Sequence, residues 1–241
     1  MTDHPSEIVA SIRTDLVAAV DPVAKESGER FFKEDVRTYG MKTAVVNGIA
    51  KAHLTQITAA GLGKAEVYAL CDELWASGYL EEAFIACAFS ESQHDLYERG
   101  DFAVFASWVH QYVTNWAACD TLCNHTVGDL VMLFPDLGER LLEWAVSDKR
   151  WVKRAAAVTL IVPARRGLFH PLVFRIADIL LTDPDDMVQK GYGWMLKGTA
   201  EHDQQAVFDY VMRHQAAMPR TALRYAIEKM PPDLKRQAMA R

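Results

Sequence analysis

Three short segments of the 241-residue sequence place aromatic and charged side chains at helical spacing: Asn115-Trp116-Ala117-Ala118-Cys119-Asp120, Trp151-Val152-Lys153-Arg154-Ala155-Ala156 and Val188-Gln189-Lys190-Gly191-Tyr192-Gly193-Trp194. Trp116 and Asp120 are four residues apart, so on a helix they share one face, one turn from each other. A carboxylate in that position within an apolar helix needs a partner or a task. The ordinary role is a helix end or a salt bridge; the chemical one is stabilisation of a developing positive charge. Arg154, with Arg150 and Lys153, reads either as a solvated helix face or as a phosphate contact, the arginine as a planar fork and the lysine as a point charge. Arg166, in Arg165-Arg166-Gly167, extends that patch, and Lys190 and Lys197 repeat it further along. Trp194 is a core residue by ordinary expectation. Its place beside Tyr192 and between two lysines also suits a stacking surface for a base or sugar. An indole, a carboxylate and a guanidinium brought together would grip a cationic base and an anionic backbone.

Other chemistries find little support. Cys119, Cys123 and His125 have the types but not the number for structural zinc, since no second compact pair supplies a fourth ligand. Buried thiols and no metal are expected there. The sequence has no Gly-rich phosphate loop, no nucleophile elbow and no kinase-like set, so no cofactor is expected. Cys71, Cys87, Cys119 and Cys123 are too few for a disulfide framework in a chain of this length and are expected to be reduced.

The elements that must position these residues are helical. Ile8, Ile12, Leu16 and Val20 recur every four residues until Asp21-Pro22. Phe102, Phe105, Trp108, Val109 and Tyr112 form another amphipathic face, and similar faces follow Pro135, Pro171 and Asp203. Breaks fall at Asp21-Pro22, Gly61-Leu62-Gly63, Phe134-Pro135-Asp136, Asp183-Pro184-Asp185 and Met230-Pro231-Pro232. No alternating run predicts a sheet, and no Ser/Gly-rich linker divides the chain. Val152-Lys153-Arg154 and Val188-Gln189-Lys190 are related copies. Each follows an aspartate-bearing turn and is followed by small residues that let helices approach closely. The expected architecture is all-α: a HEAT-like or armadillo-type α-α superhelical solenoid of about six helix pairs, forming one domain over residues 1–241. A generic helical bundle is the alternative.

Charge is unevenly distributed. Residues 1–148 hold 10 Lys and Arg against 23 Asp and Glu, a balance of −13. Residues 149–241 hold 16 against 9, a balance of +7, which returns the overall −6. Clustered basic charge is the footprint of a polyanion site; a scattered solvated surface is the plainer reading. No apolar run approaches the roughly 20 residues that cross a bilayer. The N-terminal residues lack the basic start and apolar stretch of a signal peptide, so the cytoplasm is the expected compartment.

Taken in order, Trp116 with Asp120, Trp151-Val152-Lys153-Arg154, Val188-Gln189-Lys190 with Trp194, and Tyr39-Gly40-Met41-Lys42-Thr43 resemble the AlkD family of HEAT-like alkylpurine DNA glycosylases. The likeness runs from about residue 35 to 200. It implies removal of cationic N3- and N7-alkylated purines from duplex DNA by hydrolysis of the N-glycosidic bond, by a monomer and without a cofactor. It also implies catalytic roles for Asp120, Trp116 and Arg154, and DNA contacts by Tyr39, Lys42, Lys153, Lys190 and Trp194; the basic patch adds Arg166 and Lys197 as further expected DNA contacts. The family's tyrosine directly precedes its Met-Lys pair; here Gly40 stands in that place and Tyr39 one residue earlier. The alternative is a HEAT-like protein that binds damaged or branched DNA without catalysis. A protein–protein scaffold would instead show an apolar or acidic concave wall.

Overall fold

The computed structural model describes residues 5–240, and every regular element among them is helical. The described residues form two compact units, one comprising residues 5–98 and 103–121, the other residues 99–102 and 122–240.

In the first unit, α1 (Pro5–Ala18), α3 (Thr43–Ala59), α4 (Lys64–Ala76) and α5 (Leu80–Glu91) make two stacked pairs. Helix α1 packs on α3 and α4 on α5 within the pairs, while α1 lies on α4 and α3 on α5 between them. The first-on-first, second-on-second order is the stacking expected of helix-pair repeats. Val9, Ile12, Leu16, Val46, Ile57, Leu70, Leu74 and Ile85 fill the space between. A shorter helix, α2 (Pro22–Glu29), is inserted between the members of the first pair. The Asp21-Pro22 break starts it: Asp21 Oδ1 accepts the Val23 and Ala24 N–H groups at 2.9 and 3.2 Å, and Pro22 occupies the first turn, where its missing N–H costs nothing. Residues 32–42 then run without helix to α3.

The second unit repeats the pairing. Helices α9 (Leu141–Ala145) and α10 (Arg150–Val158) form one pair, α12 (His170–Leu180) and α13 (Asp186–Ala200) the next, and α14 (Gln204–His214) and α15 (Arg220–Ala226) a third. Helix α9 lies on α12, and α10, α13 and α15 follow one another in a row. Glycines make that row tight. A Cβ on Gly193 would stand 2.7 Å from Tyr225 Cβ and 2.8 Å from the Ala222 carbonyl oxygen, so only glycine admits the approach of α13 to α15. The Asp183-Pro184-Asp185 break is the cap of α13: Asp185 Oδ1 accepts the Met187 N–H at 2.9 Å. The all-α repeat architecture expected from the sequence is the one observed. No helix among the described residues is long and apolar enough to cross a membrane.

Candidate functional site

Trp116 and Asp120 belong to α7 (Trp116–Leu122). Asn115 caps it, its Oδ1 accepting the Ala118 N–H at 2.9 Å. The helix distributes its side chains against size. Ala117, Ala118, Cys119 and Leu122 are buried, whereas Trp116, the largest, and Asp120, the charged one, are half-buried on the other side. An amphipathic helix serving only the core would bury its indole, which offers far more apolar area than an alanine. The outer face of α7 therefore carries a tryptophan and an aspartate one turn apart, as the sequence spacing predicted.

Trp116 is held from one side. The Phe32 ring stacks on it at 5.4 Å between centroids, 25° from parallel. Both rings line a cavity of about 810 Å³ in the first unit, enclosed by α2, residues 31–42 and the starts of α3 and α5. Phe31, Met41, Leu80 and Phe84 add to its apolar wall. Phe31 is 72 % exposed at its margin. The lining also carries five carboxylates, Asp21, Glu29, Glu34, Asp35 and Glu81, against two lysines, Lys25 and Lys42. Sequence reasoning missed Phe31, Phe32 and Phe84. The available signal was a pair of adjacent phenylalanines inside the polar run Arg30–Asp35, which no helical period explains.

Tyr39 is turned to an internal use. Its hydroxyl donates to Glu82 Oε1 at 2.8 Å, and its ring stacks on Tyr79 at 4.1 Å. Burial, reinforced by the hydrogen bond to Glu82, pushes its phenol well above the ordinary range. The neighbouring backbone is anchored too: Glu81, itself buried, accepts the Tyr39 and Gly40 N–H groups at 3.0 and 2.8 Å. Tyr39 thus fixes the segment that borders the cavity, while Lys42 is exposed at its edge, at the cap of α3.

In the second unit the basic residues grip the protein. Arg154, expected as a solvent-facing fork, is only 5 % exposed; its Nη1 donates to the Met187 carbonyl oxygen at 2.6 Å. Arg150 Nε donates to Asp185 at 2.8 Å, and Lys153 pairs with Asp183. Three cations of α10 thus clamp the turn and first residues of α13. Lys190 pairs with Asp186 at 3.0 Å and Lys197 with Glu228 at 2.9 Å. Arg166 is exposed, its Nη1 3.6 Å from Met132 Sδ. Trp194 is half-buried on α13 while Tyr192 is fully buried, its hydroxyl donating to the Leu181 carbonyl. Cys71, Cys87, Cys119 and Cys123 are buried free thiols, and among the described residues no cluster of His, Cys, Asp and Glu has the makings of a metal site.

Comparison with known proteins adds the family. A family model described as DNA alkylation repair enzyme matches residues 12–230. No curated protein matches the chain. Among solved structures, one from Enterococcus faecalis, described as a predicted DNA alkylation repair enzyme, superposes with a TM-score of 0.78 at 14 % identity. The match covers 88 % of this chain and 97 % of that one, and so shows a shared fold.

Proposed function

The chain belongs to the DNA alkylation repair enzyme family, and from that premise we propose that it hydrolyses the N-glycosidic bond of cationic N3- and N7-alkylated purines in duplex DNA. The observation that carries this reading is the outer face of α7, where an indole and a carboxylate stand half-exposed while alanines and a cysteine fill the core.

The chemistry suits those two groups. An alkylated purine already carries a positive charge. When the C1′–N9 bond breaks, its electron pair passes to the purine and cancels that charge, so the leaving group needs no acid. Positive charge moves to the deoxyribose. A carboxylate at that point stabilises the charge in the transition state more than in the substrate, which is the condition for acceleration. Asp120 takes that role. It also orients the water whose oxygen bonds C1′ and whose proton passes to the carboxylate or to solvent. The products are a neutral alkylpurine and an abasic site. Trp116, stiffened by Phe32, packs against the sugar, and Trp194 supplies a second aromatic surface. Lys42, Arg166, Lys190 and Lys197 supply phosphate contacts, the two paired lysines exchanging a carboxylate for a phosphate when DNA arrives. Lys153 and Arg154 act indirectly, by holding α13.

The test is product analysis. Duplex DNA bearing N7-methylguanine, incubated with excess protein, should release the free methylated base and leave an abasic site. Tight binding without release would contradict hydrolysis and leave the non-catalytic DNA binder.

A further inference from the structure

We infer that Glu81 is a positioning residue for the chemistry of α7: it holds the neck of an excursion of the chain, residues 21–40, and through that excursion sets the Phe32 ring against Trp116. The role belongs to the glycosylase reading and rests on it. The excursion leaves at Asp21 and returns at Gly40, and its two ends meet: the Asp21 N–H donates to the Gly40 carbonyl at 2.8 Å. Helix α2 lies directly on this neck. A Cβ on Gly40 would stand 2.3 Å from Lys25 Cβ and 2.8 Å from Lys25 Cα, and the φ of +93° there favours glycine as well. Past the far end of α2 comes Phe32, whose ring stacks on Trp116 at 5.4 Å. A shift of the neck therefore passes along α2 to the one ring that supports the indole.

Glu81 closes the neck from the first turn of α5. It is only 3 % exposed. Its Oε1 accepts the Thr38 hydroxyl at 2.5 Å and the Gly40 N–H at 2.8 Å, and its Oε2 accepts the Tyr39 N–H at 3.0 Å. The Leu80 N–H donates to the Arg37 carbonyl at 2.9 Å, so four consecutive residues, 37–40, are tied to the start of α5. The positive end of a helix favours a carboxylate, and three donors offset the cost of taking it out of water. Glu82, beside it, is buried too, but its partners are side chains, Arg13 and the Tyr39 hydroxyl. Glu81 holds the backbone itself and so fixes the path of the neck. It touches no substrate. It acts through the neck, α2 and Phe32 on the pose of Trp116 against the sugar, where a small misplacement of a positioning group costs rate.

The test is fluorine NMR of the full chain labelled with 5-fluorotryptophan, the Trp116 resonance being identified by its loss in Trp116→Phe. Glu81→Gln keeps the size of the side chain, but in either orientation its NH2 group faces a backbone N–H of the neck. The Trp116 resonance should then move in the direction given by Phe32→Leu, which removes the stacked ring. Gly40→Ala, which drives α2 off the neck by a different route, should move it the same way, with thermal unfolding confirming that the variants fold. Val9→Ala, a core truncation in α1, should lower the melting temperature and leave the resonance in place. Single-turnover excision of N7-methylguanine by Glu81→Gln should fall about 10-fold, with duplex affinity changed less than about 2-fold. A Trp116 resonance unmoved by Glu81→Gln and Gly40→Ala, an equal movement in Val9→Ala, or excision by Glu81→Gln at the unaltered rate would overturn the positioning role alone. Absence of excision by the unaltered protein, with the resonance moving as expected, would instead sink the glycosylase reading.

Discussion

Helices α7 and α10 carry the same ingredients and use them in opposite ways. Each has a tryptophan followed within one turn by a charged residue, Trp116 with Asp120 and Trp151 with Arg154. On α7 the tryptophan and the charge are half-exposed and the small residues are buried. On α10 Trp151 is 9 % exposed, Arg154 is 5 % exposed and its guanidinium is spent on the Met187 carbonyl. Spacing alone does not separate a reactive face from a packing face. What separates them is burial: Arg154 is enclosed against the next repeat, whereas Asp120 stays half-exposed. Helix α13 and the turn before it present the Met187 carbonyl, Asp183 and Asp185 to α10, and the cations there become a clamp.

That contrast predicts unequal responses to the same substitution. The largest effect should come from Trp151→Ala, which removes a core indole and should cost about 3–5 kcal/mol in denaturant unfolding. Trp116→Ala should cost only about 1 kcal/mol, the loss of one aromatic contact with Phe32, yet slow excision strongly. Equal losses at the two positions would erase the distinction. Arg154→Ala should come next, at about 1–3 kcal/mol, because the buried Met187 carbonyl loses its donor. The salt dependence of its duplex binding should stay that of the unaltered protein; a lower slope would show that Arg154 reaches phosphate after all. The smallest effect belongs to the ion-paired lysines of α13. Lys190→Gln with Lys197→Gln should leave unfolding almost unchanged and reduce the log–log salt slope of DNA binding by about 0.9 for each lost phosphate contact. An unchanged slope would make those lysines clamps like Lys153.

Much of the fold was legible in the sequence because its boundaries are local chemistry. Asp21-Pro22 and Asp185 cap helices where they stand, Gly61-Leu62-Gly63 separates α3 from α4, and the small residues of α13 permit close helix contact. The face of α7 was legible too, since four residues along a helix fix a direction. The partners were not. Nothing in the spacing of Val152-Lys153-Arg154 reveals that Asp183 and Asp185, some 30 residues on, receive the charges of Lys153 and Arg150. Tyr39 is a similar case: the hydroxyl reaches Glu82, 43 residues away in sequence, and the ring becomes part of the frame. The cavity was hidden for a related reason. It is made by α2 and residues 31–42 folding over α3, α5 and α7, and the aromatics on its wall obey no period of any one helix.

The central claim, that the outer face of α7 performs the chemistry, is tested most directly by single-turnover release of N7-methylguanine by Asp120→Asn. The substitution keeps size and helix and removes only the charge. The account predicts release slowed by about 10²–10³-fold, with duplex binding and melting temperature close to those of the unaltered protein. Release at the unaltered rate would contradict it.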